Sequence, residues 1–166
     1  MANLWYPAAL HIDGQTVYFL WMGDDWAKDL VLVNDGRVVI FPDVAAAQDF
    51  ATHSQLPLAP DEPARPFEFD AAAAWLADGG KPDPEVLLGI WNLAGDVARS
   101  VDKPFEDRSG DLDAIYDKVF AGNNLPAMTP PGEHYEPEWD LDELTHLRWI
   151  IGQGVDLIRS ALGTSS

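Results

Sequence analysis

The sequence predicts an α+β fold, with an N-terminal antiparallel β-meander of three to four strands followed by a mainly helical C-terminal part. Residues 1–41 hold short runs of β-branched and aromatic residues. Residues 42–166 hold apolar residues at helical spacing, interrupted by long Pro-rich loops. Strands that precede helices, rather than alternating with them, favour α+β over a parallel α/β sheet. We expect a single domain over residues 1–166, which is the ordinary size of one domain.

Turn signals divide the strand region. Asn34-Asp35-Gly36 separates residues 30–33 from residues 37–41. Asp-Gly between two β-branched runs predicts a hairpin, because the tight turn requires positive φ. An earlier Asp13-Gly14 turn precedes the aromatic-rich strand predicted over residues 17–22.

Capping residues and apolar spacing define the helical region. The sequence predicts helices over residues 44–51, 71–77, 84–101, 112–121 and 140–162. Asp43 and Asp70 are expected to cap the first two, and Gly79-Gly80 is expected to end the second. Asp140 and Glu143, three residues apart, predict a capping box at the start of the last helix.

Two Pro-rich segments interrupt the helices. Residues 54–66 are expected to form a loop, followed by a short strand at Phe67-Glu68-Phe69. Residues 123–139 contain four prolines and therefore cannot be helical throughout. A loop of this length is uncommon in a compact domain unless it has a function or packs through its own side chains.

The chain is strongly acidic, with 28 Asp and Glu residues, 10 Lys and Arg residues and a formal net charge of -18. This charge repels phosphate backbones and anionic lipids, so we expect no nucleic-acid and no membrane partner. It favours a basic protein partner, while acidity for solubility alone explains it equally well. The absence of cysteines, of a secretory leader and of an apolar run of about 20 residues predicts a cytoplasmic protein.

No motif indicates a catalytic centre, so we expect a protein that is not an enzyme and has no cofactor or metal. The four histidines are not clustered with carboxylates as a zinc site requires. His146 follows Glu143 by three residues, but a di-iron site would need a second such pair and two further glutamates. Nucleophile-elbow, zincin and phosphate-loop patterns are missing from the sequence.

Two acidic clusters lie next to aromatic residues. Residues 133–143 hold six carboxylates and no Lys or Arg, and helix capping accounts for only the last three. A second cluster surrounds Trp26 in a strand connection. Aromatic hot spots beside steering charges are typical of surfaces that bind basic proteins, with solvated loops as the alternative. The candidate partner-binding residues are Asp24, Asp25, Trp26, Asp29, Glu133, Glu136, Glu138 and Trp139.

Four segments after Phe69 carry a resemblance to a known family. They are Trp91-Asn92-Leu93, Tyr116-Asp117-Lys118-Val119-Phe120, Gly122-Asn123-Asn124-Leu125-Pro126-Ala127-Met128-Thr129-Pro130 and Glu133-His134-Tyr135-x-Pro137-Glu138-Trp139. These segments resemble bacterial immunity proteins of contact-dependent growth inhibition and related polymorphic toxin systems, most of all those paired with ribonuclease-A-like toxins. The resemblance implies a stoichiometric inhibitor that binds and neutralises a cognate basic nuclease toxin domain and protects the producing cell. It assigns no interface residue.

Two other functions stay open at this point. One is a small metal- or metabolite-binding enzyme with a site between the sheet and the helices, for which Asp117, His134 and Tyr135 are candidate polar groups. The other is an acidic adaptor or nucleic-acid mimic, which would bind many basic proteins rather than one. The sequence does not determine the oligomeric state.

Overall fold

The N-terminal strands form an antiparallel unit, as predicted. The computed structural model describes residues 4–23, 29–59, 63–106 and 108–162. In it, β1 (Leu4–Ile12) and β2 (Gln15–Gly23) form a long hairpin, and β3 (Leu30–Val31) pairs antiparallel with β2. Asp13 and Gly14 connect β1 to β2 with φ angles of 54° and 74°, the left-handed conformation that a two-residue hairpin turn requires.

The second Asp-Gly turn also forms a hairpin. Asp35 and Gly36, with φ angles of 55° and 75°, join β4 (Val33–Asn34) to β5 (Arg37–Val38). These two short strands pair antiparallel with each other in a separate ladder. The α+β class and the N-terminal strands are therefore confirmed.

The main sheet is mixed, because a fourth strand joins the antiparallel N-terminal strands in parallel. β6 (Arg65–Glu68) overlaps the short strand predicted at residues 67–69 and pairs parallel with β1, giving the order β3-β2-β1-β6. A parallel neighbour requires a long crossover, because the chain must re-enter the sheet in the same direction. The helix α1 (Val44–His53) lies within that crossover. The expected strand ended at Phe69, which instead begins a helix.

Four further helices follow the crossover: α2 (Phe69–Asp78), α3 (Pro84–Val101), α4 (Leu112–Ala121) and α5 (Leu141–Ala161). Two predicted caps are confirmed. The Asp43 carboxylate accepts a hydrogen bond from the Ala46 N–H at 2.7 Å. At α5, the Asp140 carboxylate accepts from the Glu143 N–H at 2.8 Å, and the Glu143 carboxylate accepts from the Asp140 N–H at 3.1 Å. Short-range capping signals therefore set where these helices begin.

The prediction that Asp70 caps α2 was wrong. The residue at the N-cap is Glu68, whose side chain makes no capping hydrogen bond. Asp70 lies in the first turn and accepts hydrogen bonds from the backbone N–H groups of Asp13 and Gly14, at 2.8 and 2.9 Å. Its carboxylate therefore joins the first hairpin turn to α2.

One large hydrophobic cluster connects the sheet to α2, α3, α4 and α5. Phe19 of the sheet, Trp91 of α3 and Ile151 of α5 are almost fully buried in it. Gly154 permits close packing of α5 on α3, because a Cβ there would lie 3.0 Å from the Ala94 Cβ. A smaller cluster lies beneath α1. None of the described helices combines the length and the apolar character needed to cross a membrane.

Candidate partner-binding surface

The segment between α4 and α5, called here the 122–139 loop, is closed at its base by Asn124. The Asn124 Nδ2 donates to the carbonyl oxygen of Tyr135 at 3.0 Å, and the Tyr135 N–H donates to the Asn124 Oδ1 at 2.6 Å. The same Nδ2 also donates to the carbonyl oxygen of Gly122 at 3.0 Å. Asn124 has a φ of 52°, which asparagine tolerates better than most residues. One amide therefore pairs with both backbone groups of Tyr135 and closes the loop on itself.

The loop is also packed against the start of α3. A Cβ at Gly122 would lie 2.8 Å from the Cγ atoms of both Pro84 and Pro137, so only glycine allows this approach without displacement. Pro137 is buried, and the Asn123 Nδ2 donates to the carbonyl oxygens of Val119 at 3.0 Å and Pro84 at 3.3 Å. These contacts hold both ends of the loop on the helices.

A groove of about 410 Å³ lies between the loop and the C-terminal end of α4. Its lining residues are Phe120, Ala121, Leu125, Met128, Thr129, Pro130, Glu133, His134 and Tyr135. Met128 is 67% exposed, Tyr135 43% and Leu125 42%. Exposed apolar side chains gathered in one place are typical of an interaction surface.

The structure separates Glu136 from the other loop glutamates. Its carboxylate lies 2.8 Å from the Lys81 Nζ and 2.9 Å from the His134 Nε2. The hydrogen bond from Lys81, followed by that from His134, lowers the pKa of Glu136 below its ordinary value. Glu136 therefore joins the loop to the connection between α2 and α3.

Glu133 and Glu138 are exposed and take part in none of the ion pairs formed among the described residues. Trp139, the fourth predicted residue of this segment, is half-buried against the core. The Lys118 Nζ lies 5.0 Å from the centre of its ring and forms a salt bridge with Glu143 at 2.9 Å. The carboxylates of this surface that form no ion pair with a described residue are therefore Glu133 and Glu138. Trp139 instead packs against the hydrophobic core beneath the loop.

Of the second predicted cluster, Asp24, Asp25 and Trp26 lie outside the described residues. Asp29 lines a different cavity, a polar cleft of about 320 Å³, together with Arg65, Phe67, Asn92, Asp96, Arg99 and Tyr116. The cleft lies where β6, α3 and α4 meet. The structure therefore places Glu133 and Asp29 at separate cavities, and Glu136, Glu138 and Trp139 line neither of them.

Arg99 and Ser100 fasten the chain around Asp29 to α3. The Arg99 guanidinium donates to the Asp96 carboxylate and, at 3.1 Å, to the carbonyl oxygen of Asp29. The Ser100 hydroxyl accepts from the Val31 N–H at 2.9 Å and donates to the carbonyl oxygen of Asp96 at 2.7 Å. Burial raises the pKa of Asp96 to about 7, and the Arg99 charge opposes this rise.

Sequence reasoning missed this cleft. The i,i+3 spacing of Asp96 and Arg99 on α3 was the available signal, but that spacing is typical of solvent-exposed helical ion pairs. The polar groups predicted for an enzyme site lie elsewhere: His134 and Tyr135 line the groove, and Asp117 forms a salt bridge with Arg108 at 2.9 Å. Within the described ranges, no group of three or more histidines and carboxylates could hold a metal ion.

A third cavity, of about 710 Å³, lies between the β4–β5 turn, residues 103–106 and α5. Trp149 lines it and is 49% exposed. Its lining carries both cations and carboxylates, with Arg37 and Lys103 beside Asp35, Glu106 and Asp156. The mixed charge selects no class of ligand.

Comparison of the chain with protein-family models, with curated proteins and with solved structures finds no match. The resemblance to immunity proteins stays a prediction. The function is therefore inferred from the sequence and from the geometry of the loop, the groove and the cleft.

Proposed function

We propose that the chain binds a basic protein through the 122–139 loop, and that this protein is a nuclease toxin domain which the chain neutralises in the cytoplasm of the producing cell. The observation that carries the proposal is the state of Glu133 and Glu138. Both are carboxylates without a cation among the described residues, on a loop fixed at both ends, and Glu133 lines an exposed apolar groove. A preorganised loop supports binding because little conformational entropy is lost on association.

The net charge of -18 supports a basic partner. Opposite charge accelerates association through electrostatic steering, which is useful to an inhibitor that must act before damage accumulates. A nuclease has to hold nucleic-acid phosphates, so its active cleft is basic. The charge does not distinguish a ribonuclease from a deoxyribonuclease; the ribonuclease preference comes from the resemblance alone.

The position of the resemblance supports the same surface. Two of the four segments that resemble immunity proteins, residues 122–130 and 133–139, make up most of the loop. The other two include Asn92 and Tyr116, whose side chains are hydrogen-bonded to each other at 2.7 Å between α3 and α4. The resemblance is thus concentrated on the loop and on the helices that support it.

Co-expression tests the proposal. If the gene next to this one encodes a large secreted protein with a variable C-terminal domain, expression of that domain alone should stop growth. Co-expression of this chain should restore growth, and the two proteins should purify as a one-to-one complex that weakens at high salt. Continued toxicity in the presence of folded chain, with no complex formed, would contradict the proposal.

The polar cleft supports a second candidate function, a small metabolite-binding protein or enzyme with its site between the sheet and the helices. A carboxylate whose pKa is raised towards neutral pH, within a cleft, is typical of functional sites and also occurs in structural ion-pair networks. Native mass spectrometry of the purified chain tests this candidate. A stoichiometric bound small molecule that is lost on Asp96→Asn would favour it over the toxin-binding function.

A further inference from the structure

The groove beside the 122–139 loop has apolar walls. Leu125, Met128 and Tyr135 contribute large, partly exposed side chains, and Phe120 of α4 lines it as well. Its volume of about 410 Å³ is near the lower end of the range for ligand pockets, about 300–1,000 Å³. A groove of this size accommodates one long side chain of a partner rather than a whole helix or strand.

Among the described residues, Glu133 is the only carboxylate that lines this groove, and no Lys or Arg lines it. The histidine that lines the groove, His134, has its Nε2 held by Glu136 at 2.9 Å. An acidic side chain would be repelled here, and a purely apolar one would cover Glu133 without pairing it, which is unfavourable. A long alkyl stem with a cationic head satisfies both the walls and the carboxylate.

The groove is formed before any partner arrives. Turns inside the loop are closed by hydrogen bonds from the Met128 N–H to the Leu125 carbonyl oxygen at 2.9 Å and from the Glu133 N–H to the Pro130 carbonyl oxygen at 3.1 Å. The Asn124 amide ties Tyr135 to the base of the loop. The side chains that form the groove walls and Glu133 therefore lie on one loop that is held in place by its own hydrogen bonds.

We propose that this groove takes one arginine or lysine side chain of the partner, with its alkyl stem against Met128 and Tyr135 and its charged head at Glu133. The inference rests on the proposed function, because it assumes a basic protein partner. It goes further by naming the residue type at the centre of the contact. Arginine is favoured over lysine, since its planar guanidinium can donate two hydrogen bonds to one carboxylate and also stack on an aromatic ring.

The methyl group of Met128 can report binding in the groove by NMR. It has three methionines, of which Met128 lines the groove and Met22 lies in β2. In the full chain labelled with ¹³C at the methionine methyl groups, titration with Nα-acetyl-arginine amide should shift the Met128 signal saturably and leave the Met22 signal unchanged. The acetyl amides of leucine and glutamine, which lack the cation, should shift Met128 at least about fivefold less at the same concentration.

Two matched variants locate the effect. Glu133→Gln should weaken the arginine-amide titration about fivefold, as expected for a partly exposed ion pair. Asp49→Asn, which removes an identical charge at an exposed position of α1 that does not line the groove, should leave it unchanged. Absence of a saturable Met128 shift, an equal response to the leucine amide, or equal weakening by both variants would overturn the inference.

This experiment uses no toxin, so its failure and that of the proposed function can be told apart. Growth rescue without arginine-amide binding would leave the toxin-binding function standing and remove the groove as its anchor point. Arginine-amide binding without growth rescue would contradict the toxin-binding function. The groove would still be a site for cationic side chains.

Discussion

The 122–139 loop and the polar cleft around Asp96 use their carboxylates in opposite ways. In the cleft, Asp96 is partly buried and shares the Arg99 guanidinium with the backbone of Asp29. In the loop, Glu133 and Glu138 are exposed and form no ion pair with a described residue. The comparison teaches that the density of acidic residues does not identify a binding surface. What identifies it is whether the charges already have partners inside the fold.

Other carboxylates of the chain belong to the paired class. The Asp13 carboxylate is held by the Arg159 guanidinium through two hydrogen bonds of 2.9 and 3.0 Å, which lower the pKa of Asp13. Glu143 holds Lys118 and also completes the capping box of α5. Removing a paired carboxylate should alter folding, and removing an unpaired one should alter binding.

The largest expected effect is on binding, from reversing the two unpaired charges. Glu133→Lys with Glu138→Lys should lower affinity for the toxin domain about a hundredfold, mostly through slower association at low salt. Stopped-flow or surface-plasmon measurements at two ionic strengths check it. The matched control is Asp49→Lys with Asp156→Lys, an equal charge change at exposed helical positions. An equal loss of affinity in both double variants would show that only the net charge of the chain matters, and not the position of Glu133 and Glu138.

The second effect concerns the hydrogen bonds between Asn124 and Tyr135 that close the loop. Asn124→Ala removes the hydrogen bonds to Tyr135 and places alanine at a φ of 52°, so we expect a loss of about 2 kcal/mol in the free energy of unfolding. Amide hydrogen exchange should rise across residues 124–135. Asn124→Gly relieves the backbone conformation but not the hydrogen bonds, and should recover about half of the stability. Full recovery would show that the destabilisation by alanine comes only from the positive φ and not from the lost hydrogen bonds.

The third effect is a pH dependence that belongs to the cleft. Since burial raises the pKa of Asp96 to about 7, the stability contributed by its protonated form is complete at acidic pH and is lost as pH rises through about 7. Asp96→Asn removes this titration. Its free energy of unfolding, relative to the original chain, should increase by about 2.5 kcal/mol between pH 5 and pH 8. Urea unfolding at both pH values measures it; a constant difference would mean that Asp96 is ionised throughout.

The smallest effect removes one of the two partners of a paired carboxylate, Glu136. Lys81→Gln removes the main cause of the lowered pKa of Glu136, so that pKa should rise towards its ordinary value in an NMR titration. Stability should hardly change, because both side chains are exposed. Association with a basic partner should become slightly faster. A clear loss of stability would contradict this expectation and show that the ion pair between Lys81 and Glu136 stabilises the fold.

The parts of the fold that the sequence predicted correctly depend on near neighbours. The two Asp-Gly turns, the Asp43 cap and the Asp140–Glu143 capping box each involve residues within a few positions of one another. Apolar spacing also predicted the helices over residues 84–101 and 112–121 with their observed bounds. Local backbone preferences are sufficient for these features.

The features that sequence reasoning missed depend on residues far apart in the chain. β6 pairs with a strand more than fifty positions earlier, and Asp70 binds a turn 56 and 57 residues away. Lys81 meets Glu136 across 55 residues, and Arg99 meets Asp29 across 70. Because partner choice over such distances is set by tertiary packing, the sequence could place Glu136 in an acidic cluster but could not show that its charge is already used.

Inhibition of the toxin domain in vitro tests the central claim most directly. With nuclease activity followed on a nucleic-acid substrate, added chain should reduce activity in proportion to its amount and abolish it near one equivalent. Glu133→Gln with Glu138→Gln should require more protein for the same inhibition, while Asp49→Asn with Asp156→Asn should match the original chain. Nuclease activity that stays unchanged at several equivalents of folded chain would contradict the account.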